Sequence, residues 1–167
     1  MMHINFIVVL LTGLIPTLVG FVWYHPKVMG TVWMEASGVN PDDPQKMNMG
    51  VIFGVSILLS ILLAGSMLPI VIHQMGLNSM VMNDPDLNVP TSELGQAFNM
   101  LMTKYANNFR TFKHGALHGF LTSLFLLLPV MATNALFERK SVKYIGVNYA
   151  FWAICLTLMG GVLCAFA

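Results

Sequence analysis

The stretch His114-Gly115-Ala116-Leu117-His118-Gly119-Phe120-Leu121-Thr122-Ser123-Leu124-Phe125-Leu126-Leu127-Leu128-Pro129-Val130-Met131-Ala132-Thr133-Asn134-Ala135-Leu136-Phe137 contains no charged residue. Its apolar residues run continuously instead of alternating, which argues against a barrel strand. Its length exceeds the roughly 20 residues a helix needs to cross the hydrocarbon core of a bilayer. Residues 4–23, 49–72 and 144–167 read the same way. The sequence therefore predicts an all-α integral membrane fold, a bundle of four transmembrane helices. One domain covers residues 1–167, with loops at 24–48, 73–113 and 138–143.

Composition agrees. Of 167 residues, 56% are hydrophobic and 9% are charged, whereas a soluble domain carries about 25% charged residues. So few charges cannot cover a water-soluble surface. A net charge of +1 gives no electrostatic footprint for DNA or RNA, so no nucleic-acid partner is expected. The partner that the composition requires is the lipid bilayer. The first span has no Lys or Arg before it and too long an apolar run for a cleaved signal peptide, so it reads as an uncleaved anchor.

The few charges set the orientation. Lys27, Lys46, Arg139, Lys140 and Lys143 lie in the first and third loops, and Lys104, Arg110 and Lys113 in or beside the second. The positive-inside rule places the first and third loops in the cytoplasm and both termini outside. In the first loop, Pro26 is expected to open a short helix that Gly38 closes. Asn40-Pro41-Asp42-Asp43 reads as a helix start. In the second loop, Asn83-Asp84-Pro85-Asp86 reads as a turn. After Thr91-Ser92-Glu93, the residues Leu94, Phe98, Leu101, Met102, Tyr105 and Phe109 fall at helical spacing. They predict an amphipathic interfacial helix, lying on the membrane surface or packed on the bundle top.

Small residues four apart let membrane helices approach closely. Candidate packing faces are Gly50 and Gly54, then Ser56, Ser60 and Ala64, and in the third span Gly115, Gly119 and Ser123. Beside the last set, His114, His118 and Thr122 form a polar stripe that is expected to avoid lipid. Pro129 is expected to kink the third span, and Pro16 and Pro69 to act likewise in the first two.

The topology sorts the histidines. His3, His73, His114 and His118 belong to one membrane boundary, and His25 to the other. His114 and His118 lie about 6 Å apart along a helix axis, which suits two ligands of one metal, with His73 or His3 as a third. Interface histidines that merely pack are the competing reading. The expectation is no cofactor, with a transition metal at His114 and His118 as the alternative. The methionines are scattered and Cys155 and Cys164 read as small apolar residues, so neither makes a copper or disulfide signal. No nucleophile triad, phosphate loop or dinucleotide fingerprint appears, and the spans lack the acidic or basic groups usual in pumps.

Gly20-Phe21-Val22-Trp23-Tyr24-His25-Pro26, with Gly30 and Trp33, forms one motif. His114 to Gly119, then Asn134-Ala135-Leu136-Phe137-Glu138-Arg139-Lys140, forms a second, and the ending carries Asn148-Tyr149-Ala150 and Gly160-Gly161. In these the chain resembles the domain-of-unknown-function 1761 family of small bacterial membrane proteins. The resemblance covers nearly the whole chain, except that the second loop is longer than the family leads one to expect. It implies a four-helix bacterial membrane protein and assigns it no activity; together with the loop charges this places the chain in the bacterial inner membrane with periplasmic termini. Trp23, Tyr24, His25, Asn134, Glu138, Arg139 and Lys140 would share the cytoplasmic side as a headgroup or partner site, with Glu138 pairing to a neighbouring base.

Together these features read as a non-enzymatic membrane protein acting by helix association, as a homo-oligomer or accessory subunit of a larger complex. The alternatives are a small transporter or channel using the His114 and His118 stripe, and a membrane enzyme acting on a lipid or quinone.

Overall fold

The computed structural model describes residues 4–39 and 48–167. His3, Lys46 and the Asn40-to-Asp43 helix start lie outside them. The described residues are helical with no strand. Four apolar helical stretches, Phe6–Trp23, Met49–Val71, Phe112–Phe137 and Val142–Phe166, are long and apolar enough to span a membrane.

Two of the four are interrupted, each beside a proline. The first consists of α1 (Phe6–Thr12) and α2 (Ile15–Trp23). Pro16 stands in the first turn of α2, where its missing N–H costs nothing. Gly13 at the break admits the Ile61 backbone, since a β-carbon there would lie 3.0 Å from Ile61 Cα. The third span consists of α7 (Phe112–Thr122), a π turn at Ser123–Leu127 and α8 (Leu128–Phe137). Pro129 cannot donate to the carbonyl four residues back and its ring would strike it. The π turn before it absorbs that conflict, so the predicted kink appears as a shift of hydrogen-bond register.

The loops carry structure. Pro26 opens a π turn (Pro26–Gly30) that runs into α3 (Thr31–Ser37), and Gly38 closes α3 with φ of 77°. α4 (Met49–Val71) ends at an extended Ile72, and α5 (His73–Val81) follows at once. A turn at residues 82–83 and an extended Asp84 lead into a 3-10 turn at Pro85–Asn88, which takes in the second half of the expected Asn83–Asp86 turn. Ser92 then caps α6 (Glu93–Tyr105), the expected amphipathic helix. It stops at Tyr105, four residues short of Phe109, which takes up a left-handed backbone (φ 62°).

The last span is the centre of the bundle. Over an 18-residue apolar stretch of α9 (Val142–Phe166), 44% of the residues are buried, against 22%, 22% and 11% for like stretches of the other three spans. It touches α1, α2, α3, α4, α7 and α8. The core joins Val9 of α1, Ala64, Met67 and Val71 of α4, and Leu156, Met159 and Leu163 of α9. Its tightest contact is with α7, through glycines on both sides. A β-carbon at Gly119 would lie 2.7 Å from the Leu156 carbonyl carbon, and one at Gly160 would lie 3.1 Å from Gly119 Cα. Gly115 meets the Gly160 carbonyl oxygen closely enough that no side chain fits between them. Lipid offers no hydrophobic drive for helix pairing, so backbone contact of this kind supplies the attraction.

Gly50 and Gly54 share the same spacing but not the same fate. Both are exposed, and nothing lies within 4 Å of a β-carbon at Gly54. In the neighbouring register Ser60 and Ala64 are buried while Ser56 is exposed.

Candidate functional site

Three histidines converge at the junction of α4, α5 and α7. His73 opens α5, while His114 and His118 stand on successive turns of α7. One ring nitrogen from each lies within 4.8 Å of the other two. His73 Nε2 and His114 Nε2 are 2.8 Å apart, a hydrogen bond between two imidazoles. Ring centroids are separated by 4.9 Å (His73–His114), 4.9 Å (His73–His118) and 4.5 Å (His114–His118). His73 is exposed and the other two are half-buried.

The surrounding polar contacts explain why these rings meet. Gln74, next to His73, is 8% exposed. Its Nε2 donates to the carbonyls of Tyr105 and Asn108, both at 2.9 Å, and so ties the start of α5 to the corner before α7. At that corner Arg110 donates to the carbonyls of Cys164 (2.8 Å) and Ala167 (2.7 Å). These are orphan acceptors at the end of α9. Cys164 Sγ lies 3.2 Å from the carbonyls of both Val71 and Phe109. The left-handed Phe109 swings its ring to 5.0 Å from His114, stacked at 30°. Six hydrogen bonds and one ring stack thus hold the two segments that bear the histidines.

Imidazole rings can donate lone pairs to a transition metal or pass a proton along a hydrogen bond between them, and these three have no charged partner among them. For a metal, nitrogens at about 2.0–2.1 Å in tetrahedral array stand about 3.3 Å apart. The His73–His114 nitrogens stand closer than that, at 2.8 Å, and all three nitrogens lie within 4.8 Å of one another, so the rings would turn to take up an ion. Three protein ligands leave a coordination position free, the pattern of catalytic rather than closed structural sites.

The opposite end holds the other motif. Tyr24 Oη and Trp33 Nε1 both donate to Asn148 Oδ1 at 3.3 Å. Tyr24 also packs on Trp33 and Phe151, with ring centroids 5.4 and 5.1 Å away. Burial pushes the Tyr24 phenol up to about 12, so it remains a neutral donor. His25 Nδ1 accepts from the Lys27 amide at 3.2 Å and caps the π turn. Gly30 is needed where that turn folds back, since a β-carbon would meet His25 C at 2.9 Å. Trp23 Nε1 is buried without a partner among the described residues.

The Asn134-to-Lys140 corner is a helix end. Lys140 N donates to the Ala135 carbonyl at 2.8 Å and Arg139 adopts φ of 58°, which is a Schellman-type cap. The expected local pairing of Glu138 is not formed. Lys140 Nζ instead donates to the Ser37 carbonyl at 2.9 Å, and Lys143 pairs with Glu35 at 3.0 Å, the one ion pair among the described residues. The cap turns the bases toward α3 and away from Glu138. Asn134 and Glu138 are exposed.

Sequence reasoning passed over Gln74 and the capping role of Arg110, and put Phe109 on the face of α6 instead of beside His114. A glutamine directly after a span and an arginine directly before one read as boundary markers, and only the return of α6 brings them together.

A model of the family described as Protein of unknown function (DUF1761) matches residues 7–164. The chain belongs to the DUF1761 family. The match takes in both motifs, so the histidine cluster and the Asn148 cluster both lie within the DUF1761 region. No curated protein and no solved structure matches the chain.

Proposed function

We propose that this DUF1761 protein binds a divalent transition-metal ion through His73, His114 and His118, with an open coordination position for an exchangeable ligand. The single observation behind this is the convergence of three ring nitrogens within 4.8 Å from two segments far apart in the chain. The base-rich first and third loops support placing it in a bacterial inner membrane with periplasmic termini. The metal would then face the periplasm. Cobalt(II) and zinc titrations of the purified, metal-stripped protein test the reading. One ion per chain, with tetrahedral cobalt absorption that disappears in His73→Ala and His118→Ala, is expected. Equal uptake by wild type and the His73→Ala/His114→Ala double variant would refute it.

A second reading is association between copies through α4. It is favoured by Gly50 and Gly54, which are both exposed, with nothing among the described residues within 4 Å of a β-carbon at Gly54. A larger native mass in mild detergent that falls to a single chain in Gly54→Leu supports it. A single-chain mass in the wild type excludes it.

A further inference from the structure

Nine Ser and Thr residues lie in the four spans. A hydroxyl in a membrane helix has no water to serve it, so it commonly donates back to a carbonyl one turn earlier. Thr12, Ser66, Thr122, Ser123 and Thr157 do so, at 2.6–2.8 Å. Thr133 is exposed. The other three, Thr17, Ser56 and Ser60, have no hydrogen-bond partner among the described residues, and all three line a pocket of ≈ 610 Å³ between α2, α4 and α9. That volume is usual for a small-molecule site.

Ser60 is the informative residue. It is 5% exposed, yet its oxygen is not sealed: the sealed, unpartnered side-chain atoms among the described residues are Trp23 Nε1 and Gln74 Oε1. The little surface that Ser60 keeps therefore includes its hydroxyl, on the wall of this pocket. Ser60 stands eleven residues from either end of α4, about 16 Å by helical rise. Half of the hydrocarbon core is about 15 Å, which would put Ser60 near the midplane of a bilayer. Phe21 and Phe53, with ring centroids 5.8 Å apart, and Phe151 and Trp152, at 5.2 Å, give the pocket aromatic walls.

We infer that this pocket binds a neutral, lipid-soluble ring compound bearing carbonyl oxygens, an aromatic ketone or quinone, which accepts from these hydroxyls while its ring packs among the aromatic side chains. Donors in surplus call for an acceptor, and a carbonyl brings two lone pairs and no donor of its own. Flat rings pack well on aromatic walls. A phospholipid carries its oxygens at the boundary, a leaflet's depth from Ser60, and its tails bring no acceptor. An ionised ligand is costly at this depth. The pocket shares no residue with the histidine cluster, and its occupancy does not depend on a metal.

Fluorine NMR of 4-fluorobenzophenone and 4-fluorodiphenylmethane, each titrated into the full chain in lipid nanodiscs, provides the test. The probes differ only in a carbonyl replaced by a methylene, and affinities taken as mole fractions in the bilayer cancel their different partition. Saturable binding of the ketone, at least tenfold tighter than the hydrocarbon, is expected, because a site that hydrogen-bonds its ligand rejects the analogue that lacks the group. The Thr17→Val/Ser56→Ala/Ser60→Ala variant should bring the two probes to equal affinity. Ser66→Ala removes a hydroxyl already bonded to the Leu63 carbonyl and should leave the preference intact. Ser56→Trp fills the pocket from an exposed position and should abolish saturable binding. No saturable binding in the wild type, the result if a lipid tail or a second copy lay there, would overturn it. So would equal affinity for the two probes, undiminished ketone binding in Ser56→Trp, or a preference that survives the triple variant.

Discussion

Gly119→Ala places one methyl group where α7 and α9 touch. The new β-carbon would sit 2.7 Å from the Leu156 carbonyl carbon, closer to its oxygen, and 3.1 Å from Thr157 Cα. All three are backbone atoms of a central helix, so no rotamer change makes room. Carbon atoms settle at about 3.5–4.0 Å, so the helices must separate by an ångström or so along this turn. Overpacking a tight core costs about 1–3 kcal/mol, and separation also forfeits backbone contacts at Gly115 and Gly160. A loss of about 2 kcal/mol lowers the midpoint by roughly 4–8 °C for a chain of this size. The same displacement carries His118, one residue away, off the line to His73. Thermal unfolding in detergent, followed by tryptophan fluorescence, reads the first effect, and cobalt absorption reads the second. Gly54→Ala is the control. It has open space for its methyl and should match or exceed wild-type stability. A Gly119→Ala protein as stable as Gly54→Ala would refute the backbone-contact account of the pair.

Asn148→Leu strands two donors, Tyr24 Oη and Trp33 Nε1, and should cost about 1–3 kcal/mol, read as a lower unfolding midpoint with altered Trp33 fluorescence. Arg139→Gly relieves a left-handed backbone that costs an L residue roughly 1–2 kcal/mol. After the entropy of glycine it should gain about 0.5–1 kcal/mol, visible as a higher midpoint, and a lower midpoint would refute the strain. Metal content should fall on acidification from about pH 8 to about pH 5, because a protonated imidazole has no lone pair to give. Metal content that is flat across that range would remove the histidines as ligands.

The four spans were legible because charge is absent from them, and a bilayer enforces that absence more strictly than water enforces any pattern. Sorting histidines by boundary brought His73, His114 and His118 to one end, which is as far as one-dimensional reasoning reaches. Their contact depends on a helix restart at His73 with no proline or glycine at the break, and on Gln74 finding two carbonyls more than 30 residues away. Gly50-Gly54 and Gly115-Gly119 carry the same spacing, yet among the described residues only the second pair packs against another helix. Spacing states that a helix can be approached and says nothing of by what. Glu138 forms no ion pair among the described residues although two bases follow it directly, because the cap at Arg139 sends Lys140 across to α3.

The position of α9 has a consequence for how the chain is made. Synthesis runs from the N-terminus, so α1, α2 and α4 enter the membrane before the helix on which all three rest exists. Until then they hold one another and, through α4, α7. The α7–α9 pair is a hairpin joined by a four-residue link at residues 138–141. It can form as soon as its second arm is inserted. The earlier spans then close onto a finished hairpin, and the first-made helices become the last to be fixed in place.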